Sequence, residues 1–453
     1  MMNSSSLLLL RRRLLAIGLS IFIACFLIGY NQPTHIQHAL EDITRNGPEA
    51  SEPKRHRSKE EFIATTMSSA LEDNFDYSHI REVCDAQQWD STVVFTCHGI
   101  IGGIGNIRQE ILHCIRYSIS AGAGLILPVI NLRSASNLSN LTSGTTSMDY
   151  LFDQDRFLSR MKNACPQMPI YKDLDELKKL GPVTETEMIY PRKLPHCPLI
   201  PTYSAQSRVQ ELKAPKGEIT LVPFERVWQH FPICRDSVGF ANTFGLLLPL
   251  RRDVHRLAAV ILYELYSHYH LSIDPSVTTT NPQAHSFIGI HLRTASDILP
   301  YWIKYRDQAN YYLKRMDSSQ FLSSLPIIYI ASGNISSVQE FSSEVQSLSS
   351  PKPVVTKYDL ISGADRDELA NLTWDQQALV DYLVLTRSAY FMGMADSSFA
   401  WTLAVSRRKT SSAGSCGWRM GSWKSHLWGT SFRDEFSDLI GNRGYGWESR
   451  MWP

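Results

Sequence analysis

The sequence predicts an α/β protein of two facing, doubly wound lobes, preceded by an N-terminal transmembrane helix and a polar stem. Three observations carry that reading. Short apolar runs alternate with helix-length periodic segments from Val93 onward, the body is longer than one hydrophobic core organises, and a charge-free run stands near the N-terminus. Lys and Arg number 45 against 44 Asp and Glu. That balance gives no global field for recruiting nucleic acid, so any polyanion site has to be local.

Leu14 to Tyr30 is 17 residues without a charge, directly preceded by Arg11, Arg12 and Arg13. This length is at the short limit of a spanning helix. The arginines favour keeping residues 1–13 in the cytosol and translocating everything after the span, 14–30. A cleaved signal peptide is the competing reading. Its apolar region usually runs about 7–15 residues and ends at small residues, whereas this run ends in Ile28-Gly29-Tyr30-Asn31-Gln32-Pro33, a poor cleavage site. From residue 31 to about 75 the chain is polar, with Asn46-Gly-Pro and a charged run from Ser51 to Glu61, and reads as a flexible stem.

Asn137, Asn140, Asn334 and Asn371 each open an N-glycosylation triplet, as expected of a lumenal body. Seven of the eight cysteines follow the anchor: Cys84, Cys97, Cys114, Cys165, Cys197, Cys234 and Cys416. An oxidising compartment lets up to three disulfides form there and leaves one thiol over. No Cys/His spacing suggests zinc. The C-terminal Met-Trp-Pro carries no KDEL-type signal, which favours a single-pass type II protein of the Golgi membrane, with the endoplasmic reticulum as second choice.

Within the body, Val93 to Cys97 reads as a buried strand, Gly99 to Gly105 as a glycine-rich turn, Ile107 to Ala121 as a helix and Gly124 to Ile130 as the next strand. Leu151 to Ala164 and Ile219 to Trp228 continue this first lobe, residues 76–240. A long helix from Val254 to His270 leads into the second, residues 241–453. There Ser286–Arg293, Pro326–Ser332, Val354–Leu360 and Ala389–Met394 read as strands, and Asp375–Ser388 and Ser397–Arg408 as helices. Such alternation implies parallel, Rossmann-like sheets with a ligand cleft at the carboxyl ends of their strands.

Three strand ends suit an anion. Gly99-Ile-Ile-Gly-Gly103-Ile-Gly105-Asn106 lies between strand and helix, where glycines admit a phosphate and a helix N-terminus offers unpaired N–H groups, although a tight turn that binds nothing has the same look. His291-Leu-Arg293-Thr-Ala-Ser-Asp297 ends a strand. Arg293 there can grip a diphosphate bidentately, and the alternative is a structural ion pair. Asp396-Ser397-Ser398-Phe399 starts a helix, where hydroxyls either cap it or bind phosphate. Asp381 precedes it.

These residues, with Ile328-Tyr-Ile-Ala-Ser-Gly333, Ala378-Leu-Val-Asp-Tyr-Leu-Val, Phe391-Met-Gly, Phe152-Asp153, Cys165-Pro166 and the closing Gly444-Tyr-Gly-Trp-Glu, resemble the GDP-fucose protein O-fucosyltransferase family over roughly Val93 to Pro453. The resemblance implies a GT-B-like fold, an inverting mechanism and no required metal or cofactor, with GDP-fucose as donor and a protein or glycan as acceptor. It implies that Arg293 stabilises departing GDP, that His291 and Asp297 share the donor site and that Asp381 helps hold the guanine nucleoside. Ser397, Ser398 and Phe399 then contact the nucleotide, and Asn106 with Gly103 and Gly105 faces the sugar and phosphates. Some members carry a glutamate in the glycine loop as a base. This loop has Ile104 and Asn106, which leaves the acceptor's base open.

Asp153-Gln-Asp155 and Asp365-Arg-Asp367 match a short metal-binding pattern but follow no apolar strand, and read as surface or capping residues. The tryptophans after Arg408 (Trp418, Trp423, Trp428, Trp447, Trp452) read as packing for a C-terminal tail more than as a sugar platform. Use of another GDP-sugar such as GDP-mannose, and an inactive relative acting as a Golgi scaffold, stand as alternatives.

Overall fold

The computed structural model describes residues 57–72, 75–190, 217–226, 231, 233–277, 286–408, 429–441 and 450–453, side chains 234 and 429–431 excepted. Helices α1 (Lys59–Leu71) and α2 (Ser78–Asp85) lead into β1 (Asp90–His98), α3 (Ile104–Ala121), β2 (Ala123–Ile126) and a hairpin of β3 (Ile130–Asn131) and β4 (Thr145–Thr146). Then come α4 (Gln154–Ala164), β5 (Ile170–Tyr171), α5 (Leu174–Lys178), β6 (Val183–Glu185), β7 (Ile219–Glu225), α6 (Val238–Phe244) and the long α7 (Arg252–His268). The remainder runs β8 (Ile288–His291), α8 (Tyr305–Asp317), α9 (Gln320–Ser324), β9 (Ile328–Ala331), α10 (Ile335–Val345), β10 (Val354–Val355), α11 (Lys357–Leu360), α12 (Gly363–Asn371), α13 (Trp374–Thr386), β11 (Tyr390–Met394), α14 (Ser398–Arg408), β12 (Gly429–Arg433) and β13 (Ser437–Gly441).

The first sheet is ordered β5-β2-β1-β7-β6 and is parallel throughout. The second is ordered β10-β9-β8-β11-β13-β12, parallel except for the last strand. In each, the chain leaves a central strand for one side and later returns to the other. The switch point lies between β1 and β7 in the first sheet and between β8 and β11 in the second, and ligands of open α/β sheets bind outside the carboxyl ends at such points. Both predicted strand-end motifs of the second half, and the glycine loop of the first, sit at these switch points.

Strands β9 and β11 are buried along their whole length, as parallel strands covered on both faces must be. One core takes in Val93 and Phe95 of β1, Tyr329 of β9 and Phe391 of β11, while Ile288, Ile290, Ile330 and Met392 serve a second core on the other face of the second sheet. Two disulfides, Cys84–Cys165 and Cys97–Cys114, lie among the described residues. The second ties α3 to the end of β1 beside the glycine loop. The side chains of Cys197, Cys234 and Cys416, like Leu14–Tyr30 and all tryptophans after Arg408 except Trp452, lie outside the described residues. No described helix is long and apolar enough to cross a membrane.

Several expectations need correction. The stem reading runs too far, because α1 belongs to the same compact unit as the body. Its Phe62 is fully buried against Tyr263 and Tyr266 of α7, with ring centroids 5.7 and 5.2 Å apart, and Lys59 pairs with Glu264. Only Phe62 and Thr66 of this helix are buried, so its sequence carries almost no apolar stripe. Phe62→Ala is therefore expected to lower unfolding free energy by about 3–5 kcal/mol, measurable by denaturant titration. A change below about 0.5 kcal/mol would mean that the helix does not dock.

The strand read over Val354–Leu360 ends at Val355, where Thr356 and Asp359 form a capping box that starts α11. The run Gly124–Ile130 splits into β2 and β3 at Leu127-Pro128-Val129. Helix α3 begins at Ile104, three residues early, so Gly105 and Asn106 belong to its first turn. At the other end of the chain, Trp452 is buried against His113 and Phe244, and its indole N–H donates to Asp236 at 3.1 Å. Gln109 and His113 of α3 bond the backbone of Trp452 and Arg450, so this tryptophan packs the tail onto the first half of the molecule.

Candidate functional site

The two halves of the chain meet at two places near the carboxyl ends of these strands. Gly105, after β1, lies against the backbone of Ser398 and Phe399, after β11. Arg133, after β3, reaches Asp297, after β8. The motifs read from separate stretches of sequence are thereby assembled around one region.

Arg293 follows β8 directly. Gln308 of α8, fully buried, accepts from the Arg293 N–H at 3.0 Å and donates to its carbonyl at 2.9 Å, fixing the peptide that aims the side chain. The guanidinium lies 5.6 Å from the Trp302 ring centroid and donates through Nη1 to Oδ1 of Asp297 at 2.7 Å. Its remaining nitrogens have no partner among the described residues. Asp297 spends its other oxygen on Arg133 at 2.9 Å. Burial works to raise the Asp297 carboxyl, but the Arg293 hydrogen bond and the two guanidinium charges hold it below the usual range.

His291 packs against Phe399 with ring centroids 4.5 Å apart and ring planes inclined by 39°, and its Nδ1 is buried without a partner. Burial, reinforced by the charge of Arg293, lowers its pKa to about 3. The ring is neutral at physiological pH. Phe399 also meets Tyr382 edge-on at 5.9 Å.

Ser397 and Ser398 open α14, and neither hydroxyl is engaged within the described residues. Ser397 N–H is bound to the Met394 carbonyl at 3.1 Å, and the following backbone supplies the free N–H groups of a helix start. Neighbouring Asp396 is buried with Oδ2 unpaired, and burial raises its pKa to about 6.

The glycines of the first loop have different tasks. Gly102 has φ +110°, and a Cβ there would strike the Asn106 amide. Gly103, the N-cap of α3, would place a Cβ in open space, so the loop is uncovered at that point. Gly105 closely approaches the start of α14. Asn106 has a buried Oδ1 without a partner. One turn further on, Glu110 accepts the Ile101 N–H at 2.8 Å and braces the loop, and burial pushes its carboxyl well above the usual range.

Asp381 does not open onto this region. Its carboxylate is buried, taking Lys357 Nζ at 2.5 Å on one oxygen and Tyr329 Oη at 2.7 Å on the other. The carboxylate thereby ties α13 to β9 and α11. Asn334 caps α10, and its amide nitrogen, the atom a glycan would take, donates to the Thr294 carbonyl at 3.3 Å. Asn137, Asn140 and Asn371 are exposed. Asp153 caps α4 and pairs with Arg252, and Asp365 pairs with Arg256 and Lys59, as expected of capping and surface residues. Sequence reasoning missed Arg133, whose only local signal is an arginine after a short strand.

A free guanidinium edge, two unengaged hydroxyls and a helix start at the switch point of a parallel sheet suit an anionic ligand. A model of the GDP-fucose protein O-fucosyltransferases matches residues 94–410 of this chain. The chain belongs to that family and is a glycosyltransferase. No curated protein sequence matches it. Among solved structures it is similar to the fucosyltransferase NodZ from Bradyrhizobium, with 15% identity, coverage of 70% of this chain and 93% of that one, and a TM-score of 0.39. It is also similar to POFUT1 in complex with GDP-fucose, with 9% identity, coverage of 71% and 96%, and a TM-score of 0.42.

Proposed function

We propose that this chain transfers fucose from GDP-fucose to a hydroxyl of a protein or glycan acceptor, with inversion at the anomeric carbon and without a metal ion. The observation that carries the reading is Arg293, fixed through its peptide and on one edge, and open on the other, at the switch point of the second sheet. The bond from the anomeric carbon to the β-phosphate oxygen breaks while the acceptor oxygen bonds to the opposite face. Negative charge grows on GDP as the sugar becomes oxocarbenium-like, so a preorganised guanidinium stabilises the transition state more than the ground state. Ser397, Ser398 and the start of α14 complete the phosphate cradle, and neutral His291 with Phe399 forms an aromatic wall for the nucleotide. Gly103 leaves room for the sugar, and the Asn106 amide bonds a hydroxyl of donor or acceptor. The acceptor proton leaves to water or to the departing diphosphate.

Charge neutralisation by Arg293 supports a reaction that needs no divalent ion, and Asp153 and Asp365, one acid of each Asp-x-Asp pair, are engaged elsewhere. We place the protein in the Golgi membrane as a single-pass type II protein anchored by Leu14–Tyr30. Arg11–Arg13 and the two disulfides, which suit an oxidising lumen, support that placement. The test is hydrolysis of GDP-fucose, GDP-mannose and a UDP-sugar by the full chain in detergent, with and without EDTA. Selective, chelator-indifferent turnover of GDP-fucose is expected. A folded protein that binds no GDP-sugar would sink the enzyme reading and leave a binding or scaffold role.

A further inference from the structure

Arg133 follows β3 of the small hairpin and touches three groups of the second half of the chain at once. Nη1 donates to Oδ2 of Asp297 at 2.9 Å, Nε donates to Oδ1 of Asp375 at 3.2 Å, and the guanidinium lies 4.9 Å from the Trp374 ring centroid. Nη1 also donates to the Leu138 carbonyl, which holds the side chain to its own hairpin. Because Asp297 gives its remaining oxygen to Arg293, the four side chains form one alternating row, Asp375, Arg133, Asp297, Arg293. The first three have side chains 5%, 6% and 7% exposed and Arg293 13%, so the Arg293 end of the row is the most accessible to a ligand.

We propose that Arg133 is a positioning residue for Arg293, acting through Asp297 from the opposite side of the donor site. This rests on the donor-site reading of Arg293 given above. Two physical effects point the same way. A carboxylate with both oxygens free can take two nitrogens of a guanidinium at once. By occupying Oδ2, Arg133 limits Asp297 to a single bond with Arg293 and leaves the other nitrogens for phosphate. The row also has two positive and two negative members. Without Arg133 it carries a net negative charge beside an anionic donor, in surroundings where burial weakens screening.

Steady-state hydrolysis of GDP-fucose by the full chain tests this with Arg133→Gln, Arg133→Lys, Asp297→Asn, Arg293→Ala and the Arg133→Gln/Asp297→Asn pair. Arg133→Gln is expected to raise KM about tenfold and to lower kcat, because a misaimed guanidinium weakens both donor binding and charge stabilisation. The double variant is expected to be no worse than Asp297→Asn alone, because the effect of Arg133 passes through that carboxylate. Arg133→Lys keeps the buried charge but lacks the fork that spans Asp297 and Asp375. It guards against a folding failure in the glutamine variant, and a raised KM with an unfolding midpoint near that of the wild type is expected. Unchanged KM and kcat in a folded Arg133→Lys or Arg133→Gln protein, or effects that multiply in the double variant, overturn the proposal. Wild-type turnover in Arg293→Ala and Asp297→Asn would overturn the donor-site reading itself.

Discussion

Arg293→Ala is expected to lower kcat for GDP-fucose by about 10²–10³-fold, the loss seen when one preorganised donor to a developing anion is removed. The fold should persist. The side chain packs at the surface of the site, and Gln308 holds the Arg293 backbone, which alanine retains. Removing the guanidinium does leave Asp297 with one oxygen unpaired, but Arg133 still holds the other. Arg293→Lys should recover only a fraction of the rate, since an ammonium bonds either Asp297 or a phosphate oxygen well and cannot bridge them in one plane. The rate deficit is expected to stay constant between about pH 6 and 8, because His291, depressed to about 3, does not gain charge there and cannot substitute for the missing cation. Single-turnover hydrolysis with a far-UV and thermal check of folding measures this. A folded alanine variant within about threefold of the wild-type rate would remove Arg293 from the reaction.

Much of the strand framework was legible because parallel strands covered on both faces read as unbroken apolar runs, as Ile288–His291, Ile328–Ala331 and Tyr390–Met394 do. The site was legible as far as its residues lie next to strand ends. What was not legible depends on partners remote in sequence. Asp381 reads as a free acid until Lys357 and Tyr329 are brought to it. Arg133 gains meaning only beside Asp297, 164 residues away. Helix α1 buries one aromatic ring into α7 and otherwise looks like solvated chain. The start of α11, by contrast, was written locally in Thr356 and Asp359, and the preceding Val354-Val355 pair masked it.

Two glycines of the first loop, Gly103 and Gly105, separate assembly of the site from access to it. A Cβ on Gly105 would lie 2.5 Å from the carbonyl carbon of Ser398 and 2.8 Å from the nitrogen of Phe399, and closer still to the Ser398 oxygen. These are backbone atoms at the start of α14, so no rotamer change relieves the contact. Gly105→Ala is expected to force α3 and α14 apart, costing about 1–3 kcal/mol as overpacking does. It also displaces Ser397, Ser398 and Phe399 from the phosphate cradle, and a shift of the order of 1 Å costs about 10²-fold in rate. Gly103→Ala makes the opposite case. Its φ of −83° and ψ of 174° suit alanine, and a Cβ there meets nothing within 4 Å. Stability should therefore be unchanged or slightly raised, since alanine loses less backbone entropy on folding, while KM for the donor rises because the methyl group enters the space assigned to the sugar and phosphates. Thermal unfolding and donor KM, measured on both variants, resolve the two roles. If Gly103→Ala instead lost stability and kept its KM, the loop would be a structural turn facing no ligand, and the donor would have to be placed wholly on the second sheet.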